Sequence, residues 1–185
     1  MQEYAGSETA KIHLSNKEIR QALKDYPYHN IKQVGKTGAG SQLACYSKFP
    51  ILSARMLDYR SNYNGSMVYE IKIGKDTVLL INNHLESNKL TREDKVVYED
   101  MLKDPKAGKV KSGVRQLVNK LAEASAIRSA QARTIAQEIA HSPYPSVIVC
   151  GDFNDSPISY AHRVISQDMD DAFTESGCGL GISYL

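Results

Sequence analysis

The sequence predicts a domain of the α/β (α+β) class, and three stretches of the chain carry that expectation. Residues 146–150, Ser-Val-Ile-Val-Cys, are a run of small or β-branched residues that reads as a strand buried on both faces. Residues 77–81, Thr-Val-Leu-Leu-Ile, are apolar throughout and follow a Gly74-Lys75-Asp76 turn, so they read as the second arm of a hairpin and as a central strand. Residues 114–140 have helical periodicity, with Leu117, Leu121, Ala124, Ile135 and Ile139 near one face that packs on the sheet.

The other elements follow in chain order. Ser15-Asn16-Lys17-Glu18 is a capping box that opens a short helix reaching to about Leu23. Tyr26-Pro27-Tyr28-His29 reads as a turn, its aromatics assigned to covering the core in preference to lining a groove. Gly35-Lys36-Thr37-Gly38-Ala39-Gly40 suggests a phosphate-binding loop, but Asn30 stands where the first glycine belongs and small residues follow Thr37 where a helix is needed. It is read as a connector into a strand over residues 42–46, which runs on into Ser47-Lys48-Phe49-Pro50-Ile51. Met67, Tyr69, Ile71 and Ile73 alternate as the first arm of the hairpin. Residues 88–113 are rich in Lys, Arg, Asp and Glu, contain Pro105 and two glycines, and are expected to form a surface insertion. Arg128 and Gln131 sit near the apolar seam of the long helix, either as buried hydrogen-bonding anchors or with Arg128 snorkelling, the commoner outcome. Ser142-Pro143-Tyr144-Pro145 ends that helix, and a further helix is expected over residues 158–166.

Composition excludes more than it assigns. With 42% hydrophobic and 24% charged residues, the 185-residue chain suits one domain with a real core, taken as residues 1–185. A formal net charge of +2 without a Lys/Arg block argues no nucleic-acid footprint. Cys45, Cys150 and Cys178 are too few and scattered for a disulfide framework or a zinc site and are assigned to packing. No signal peptide or long apolar run is present, so the chain is expected to be soluble, with its compartment open.

Polar groups collect where strands end. After the 146–150 run come Gly151-Asp152-Phe153-Asn154, and period-two geometry puts Asp152 and Asn154 on one side. The plainer alternative for a bare Asp-x-Asn is an Asx-turn before Pro157. Asn82-Asn83-His84-Leu85-Glu86 follow the 77–81 strand, and Gln2-Glu3 stand at the amino terminus. In order and spacing, Gln-Glu, Ser47-Lys48-Phe49-Pro50-Ile51, Asn-x-His-Leu and Gly-Asp-Phe-Asn resemble the endonuclease/exonuclease/phosphatase superfamily over most of the chain.

The resemblance implies a four-layer sandwich of two mixed β-sheets flanked by helices, and divalent-metal-dependent hydrolysis of phosphate esters of the phosphodiesterase, nuclease or phosphatase type. It makes Glu3 the ligand of a magnesium or manganese ion, to which hard oxygen donors are suited. Asp152 orients or deprotonates the attacking water, while His84, Asn154 and Asn82 hydrogen-bond the oxygens on which charge develops, Asn82 as a substrate-binding group. A nucleic acid, a phospholipid headgroup and an inositol phosphate all remain open as substrates. The rival reading is a non-catalytic module that keeps the fold and binds a phosphoryl ligand or partner.

The sequence departs from the family pattern at both ends. The family's first strand precedes the Gln-Glu, and its closing Asp-His pair has no counterpart after Asn154, where His162 follows Ala161. The expectation is a domain truncated at both ends, impaired in catalysis, with open sheet edges through which it self-associates.

Overall fold

The computed structural model describes residues 15–34, 42–59, 61, 63–103 and 108–177. The phosphate-loop-like stretch over residues 35–40, Gln2, Glu3 and Cys178 lie outside them. The order of elements is α1 (Asn16–Ala22), β1 (Tyr28–Gln33), β2 (Gln42–Ser47), β3 (Ile51–Met56), β4 (Gly65–Ile73), β5 (Asp76–His84), α2 (Arg92–Lys103), α3 (Gly108–Ala140), β6 (Ser146–Asp152), α4 (Tyr160–Ile165) and α5 (Ala172–Ser176). β1 and β2 form an antiparallel pair, and β3-β4-β5-β6 form a mixed sheet in which only the β5–β6 ladder is parallel.

Local chemistry explains most boundaries. Ser15 and Glu18 form the expected reciprocal cap on α1, with Ser15 Oγ accepting from the Glu18 N–H. Thr91 and Asp94 cap α2 in the same way, and Lys120 of α3 reaches Asp94 at 2.6 Å. α3 starts at Gly108 where the apolar pattern predicts residue 114. Gly113 is tolerated inside it because a Cβ there would meet Val97 Cγ1 of α2 at 2.8 Å, so the missing side chain is what lets the two helices approach.

The four-stranded sheet separates two cores. On one face Leu57, Val68, Leu79, Ile81 and Leu85 pack against Ala132 and Ile135 of α3 and Ala161 and Ile165 of α4. On the other, Met67, Tyr69, Ile71 and Leu80 pack against Val34 and against Leu43 and Cys45 of β2. One mixed sheet and one antiparallel pair, with α3 and α4 packed outside the mixed sheet, agree with the expected sandwich, and β5 is central as its apolar run requires.

Several expectations are corrected. β6 is not buried on both faces: it is the edge of the sheet among the described strands, and Ile148 is 51% exposed because β1 and β2 cover β4 and β5 and leave β6 bare. Cys150, on that same bare face, is exposed and is not a packing residue, whereas Cys45 is buried. Tyr28 opens β1 instead of lying in a turn, and it and Tyr26 are exposed and do not cover the core, Tyr26 lying 5.5 Å from Lys48 Nζ. Residues 51–56 form a strand of their own, tied to α3 by the Arg55–Glu138 ion pair. The helix after Pro157 begins at Tyr160, where Ser159 supplies the cap.

Two glycines with positive φ test how closely β5 and β6 are fitted. Gly151 (φ +133°) lies opposite Asn83, and a Cβ on it would sit 1.9 Å from the Asn83 carbonyl oxygen. Gly74 (φ +60°), in the hairpin turn, has open space around it. Gly74→Ala is expected to cost about 1 kcal/mol, the ordinary penalty of a left-handed alanine. Gly151→Ala is expected to cost more than about 3 kcal/mol, because backbone strain and a main-chain clash add. Denaturant midpoints of the two variants measure this, and equal losses would show that β6 does not approach β5 so closely.

Candidate functional site

The site is built by the parallel ladder. Asn82 is the register partner of Cys150 and His84 of Asp152, and the ladder runs one step further through the Leu85 N–H to the Asp152 carbonyl at 2.9 Å. Both strands therefore end at the same edge, and alternation places Asn82, His84 and Asp152 on the face that carries Leu80 and Met67. Gly65, opposite His84, admits the second core here: a Cβ on it would lie 2.8 Å from Val34 Cβ. Asn82 and His84 are each 4% exposed and form a buried floor, while Asp152 is half-buried at the rim.

Asn154 joins Asp152 by a different route from strand alternation. β6 ends at Asp152, and Asn154 adopts a left-handed conformation (φ 50°), which Asn tolerates better than most residues. Its N–H donates to Asp152 Oδ1 at 2.8 Å, an Asx-turn, and its Nδ2 donates to the Leu85 carbonyl at 2.9 Å. The turn and the acid-amide pair are thus one feature. Asn64 Nδ2 donates to the same Leu85 carbonyl at 2.7 Å, so two carboxamides grip the residue after His84.

Behind the rim lies a polar layer that the sequence did not single out as a site. Glu86 is 3% exposed, and its carboxylate takes a hydrogen bond from Ser61 Oγ at 2.8 Å and pairs with Lys89 Nζ at 2.6 Å. Gln131 Oε1 accepts the Glu86 N–H at 3.0 Å, and Arg128 Nη1 donates to the Glu86 carbonyl at 2.9 Å. Arg128 does not snorkel; it is 4% exposed and also donates to Asn88 Oδ1 and, through Nε, to Asp155 Oδ2. The one available signal was the Arg-x-x-Gln spacing on the apolar seam, which puts both side chains on one face of α3.

On the other face of the sheet, Tyr59 Oη and Ser66 Oγ lie 2.5 Å apart, and Ser66 donates to Asn83 Oδ1. Burial pushes the Tyr59 phenol well above its ordinary value, so it stays protonated. A His–Asp contact does occur after Asn154, though with the residues far apart in sequence: His162 Nε2 and Asp171 Oδ2 lie 2.7 Å apart. That hydrogen bond, then those from the Phe173 and Thr174 N–H groups, hold the Asp171 carboxyl below the usual range. The pair fastens α4 to the cap of α5, and α4 packs on the face of the sheet opposite His84, so it is no part of the site.

Asp152 and the carboxamides of Asn82 and Asn154 are hard oxygen donors, suited in kind to magnesium or manganese. No three His, Cys, Asp or Glu residues converge on a metal position among the described residues, and the expected ligand Glu3 lies outside them.

Comparisons with known proteins bear on this arrangement. No curated protein sequence matches the chain significantly. Among solved structures, sphingomyelinase C from Streptomyces griseocarneus superposes with a TM-score of 0.52 at 18% identity, covering 83% of this chain and 53% of that one. A beta toxin double mutant from Staphylococcus aureus, with bound magnesium ions, gives a TM-score of 0.54 at 17% identity, covering 84% and 53%. A beta-hairpin deletion mutant of the same toxin gives 0.54 at 16%, covering 85% and 57%. The chain spans about half the length of these structures, and at such identities they establish the fold. The profile of the endonuclease/exonuclease/phosphatase family matches residues 2–182, and the chain belongs to that family.

Proposed function

We propose that the protein hydrolyses phosphate esters with the help of a divalent cation, magnesium or manganese. The observation that carries this reading is the apposition of His84 and Asp152 on neighbouring parallel strand ends, with Asn154 locked to Asp152, in a chain of this family. Magnesium in the beta toxin structure supports the choice of ion. Glu3 would hold the cation, and the ion would neutralise phosphate charge.

The rest of the chemistry falls to the chain's own groups. The Asn154 N–H fixes the plane of the Asp152 carboxylate through Oδ1, which leaves the second oxygen to orient a water and take its proton. Asn154 commits one amide hydrogen to Leu85 and keeps the other for a phosphoryl oxygen. His84 and Asn82 form the floor and supply hydrogen bonds as charge builds on that oxygen. The carboxylate acts as acceptor, the amide and imidazole as donors, and both kinds are needed to move a proton off water while negative charge grows on phosphorus-bound oxygen.

The substrate is proposed only to class: a nucleic acid, a phospholipid headgroup or an inositol phosphate. The net charge of +2 favours none of them. Among the described residues no helix is long and apolar enough to cross a membrane.

Two measurements test the reading. With bis(p-nitrophenyl) phosphate and p-nitrophenyl phosphate as probes, turnover is expected in millimolar magnesium and is expected to vanish in excess chelator; a full rate in chelator would remove the metal from the mechanism. Asp152→Asn is near-isosteric and keeps the acceptor for the Asn154 N–H. It is expected to lower kcat by about a hundredfold or more while leaving the thermal midpoint nearly unchanged. A wild-type rate in that variant would remove Asp152 from catalysis, and probe binding without turnover in the wild type would favour the binding-module alternative.

A further inference from the structure

The buried polar layer behind the rim contains a group for which the proposed chemistry has no direct use. Arg128, in the middle of α3, brings a full positive charge to a place that is 4% exposed. Burying such a group is rarely the cheapest way to stabilise a helix against a sheet, since well-packed apolar residues of the same volume do as well or better. Its bonds show what an apolar residue would fail to do. Nε donates to Asp155 Oδ2 at 2.9 Å, in the residue directly after Asn154. Nη1 donates to the Glu86 carbonyl at 2.9 Å and to Asn88 Oδ1 at 2.8 Å, in the loop that leaves β5 two residues after His84.

One planar fork thus holds the loop that follows His84 and the loop that follows Asp152. Gln131, one turn further along α3, takes the Glu86 N–H, so Glu86 is fixed by its carbonyl and its amide from the same helix. The Glu86 carboxylate is not part of this clamp; it is matched separately by Lys89 and Ser61. The rigid planar geometry of guanidinium suits the task, because its donors leave at fixed angles, whereas an ammonium is a single point on a flexible stem.

We propose that Arg128 is a positioning residue that joins the residue 85–88 loop and the residue 153–156 loop into one unit and so sets His84 against Asp152 and Asn154. The coupling of the loops stands on the geometry alone; its effect on turnover rests on the phosphoesterase reading, and the experiment separates the two.

Arg128→Met keeps length and apolar volume, Arg128→Lys keeps the charge, and Arg133→Met is a control on the exposed side of the same helix. Amide hydrogen exchange on the full chain is the primary measurement. In Arg128→Met, exchange is expected to rise about tenfold or more in both loops while the β4 and β5 core keeps wild-type protection. Arg128→Lys is expected to protect only one loop, since an ammonium reaches one set of acceptors, and Arg133→Met is expected to match the wild type. A uniform rise over the whole chain, or a rise in one loop only for Arg128→Met, overturns the proposal. Should Arg128→Met fail to fold, Arg128→Lys decides by the same pattern: a rise confined to one loop supports the clamp, and wild-type protection in both loops overturns it.

With bis(p-nitrophenyl) phosphate and magnesium, Arg128→Met is expected to lower kcat by about a hundredfold, the scale of a small misplacement of reacting groups. KM is expected to stay within about threefold, because ground-state binding is untouched. A wild-type enzyme that turns over no probe ends the phosphoesterase reading and leaves the exchange result standing. Coupled loops with an unchanged kcat overturn the catalytic half of the proposal.

Discussion

The parallel register between β5 and β6 is the constraint on which the rest of the molecule depends. It brings Asn83 opposite Gly151 with no room for a side chain, and it brings His84 opposite Asp152 at the point where both strands give way to loops. A slip of one residue would turn His84 or Asp152 into the helix-covered core on the other face. The glycine is therefore part of the site although it contributes no functional group. It sets how near the two strands come and so where the polar pairs fall.

Much of this was legible in the chain because the relevant signals are local. The Ser15–Glu18 cap, the hairpin across Gly74 and Lys75, and the centrality of the 77–81 run all depend on residues within a few positions of one another. The pairing of Asp152 with Asn154 was also legible, yet for the wrong geometric reason: strand alternation was expected, and a left-handed turn does the work. Asx-turn and acid-amide pair are not alternatives, because the hydrogen bond that makes the turn is made to the Asp152 carboxylate itself. The exposure of Ile148 was not legible, because an apolar run reports the propensity of a strand and not which neighbours cover it. Arg128 and Gln131 were legible as candidate buried anchors from their spacing on the apolar seam, but the parts of Glu86 and Ser61 in that layer were not, since the partners come from three separate stretches of the chain.

That layer inverts the usual division between apolar interior and polar surface. Leu85, whose side chain belongs to the helix-side core, offers a carbonyl that two carboxamides grip. The next residue, Glu86, is a buried carboxylate held at its side chain by Ser61 and Lys89. The sheet thus ends in a lattice of directional bonds where its apolar packing stops. Directional bonds specify position more sharply than dispersion contacts do, and a strand end bearing functional groups is where such sharpness matters.

The crossover from β5 to β6 also fixes an order of events. β4 and β5 are joined by a two-residue turn, so their ladder closes early and at little entropic cost. β6 can pair with β5 only when the chain that carries α2 and α3 has bridged the two strands, and the contact between Asn154 and Leu85 spans 69 residues. Long-range parallel pairing of this kind is among the slowest steps a chain takes. Until it happens, His84 and Asp152 belong to separate parts of an unfinished molecule, and the open edge of β5 is an apolar template for other chains. The pairing that assembles the polar rim is also the one that covers the edge of β5, so a chain that presents the rim no longer offers that central strand to others, and the edge passes to β6.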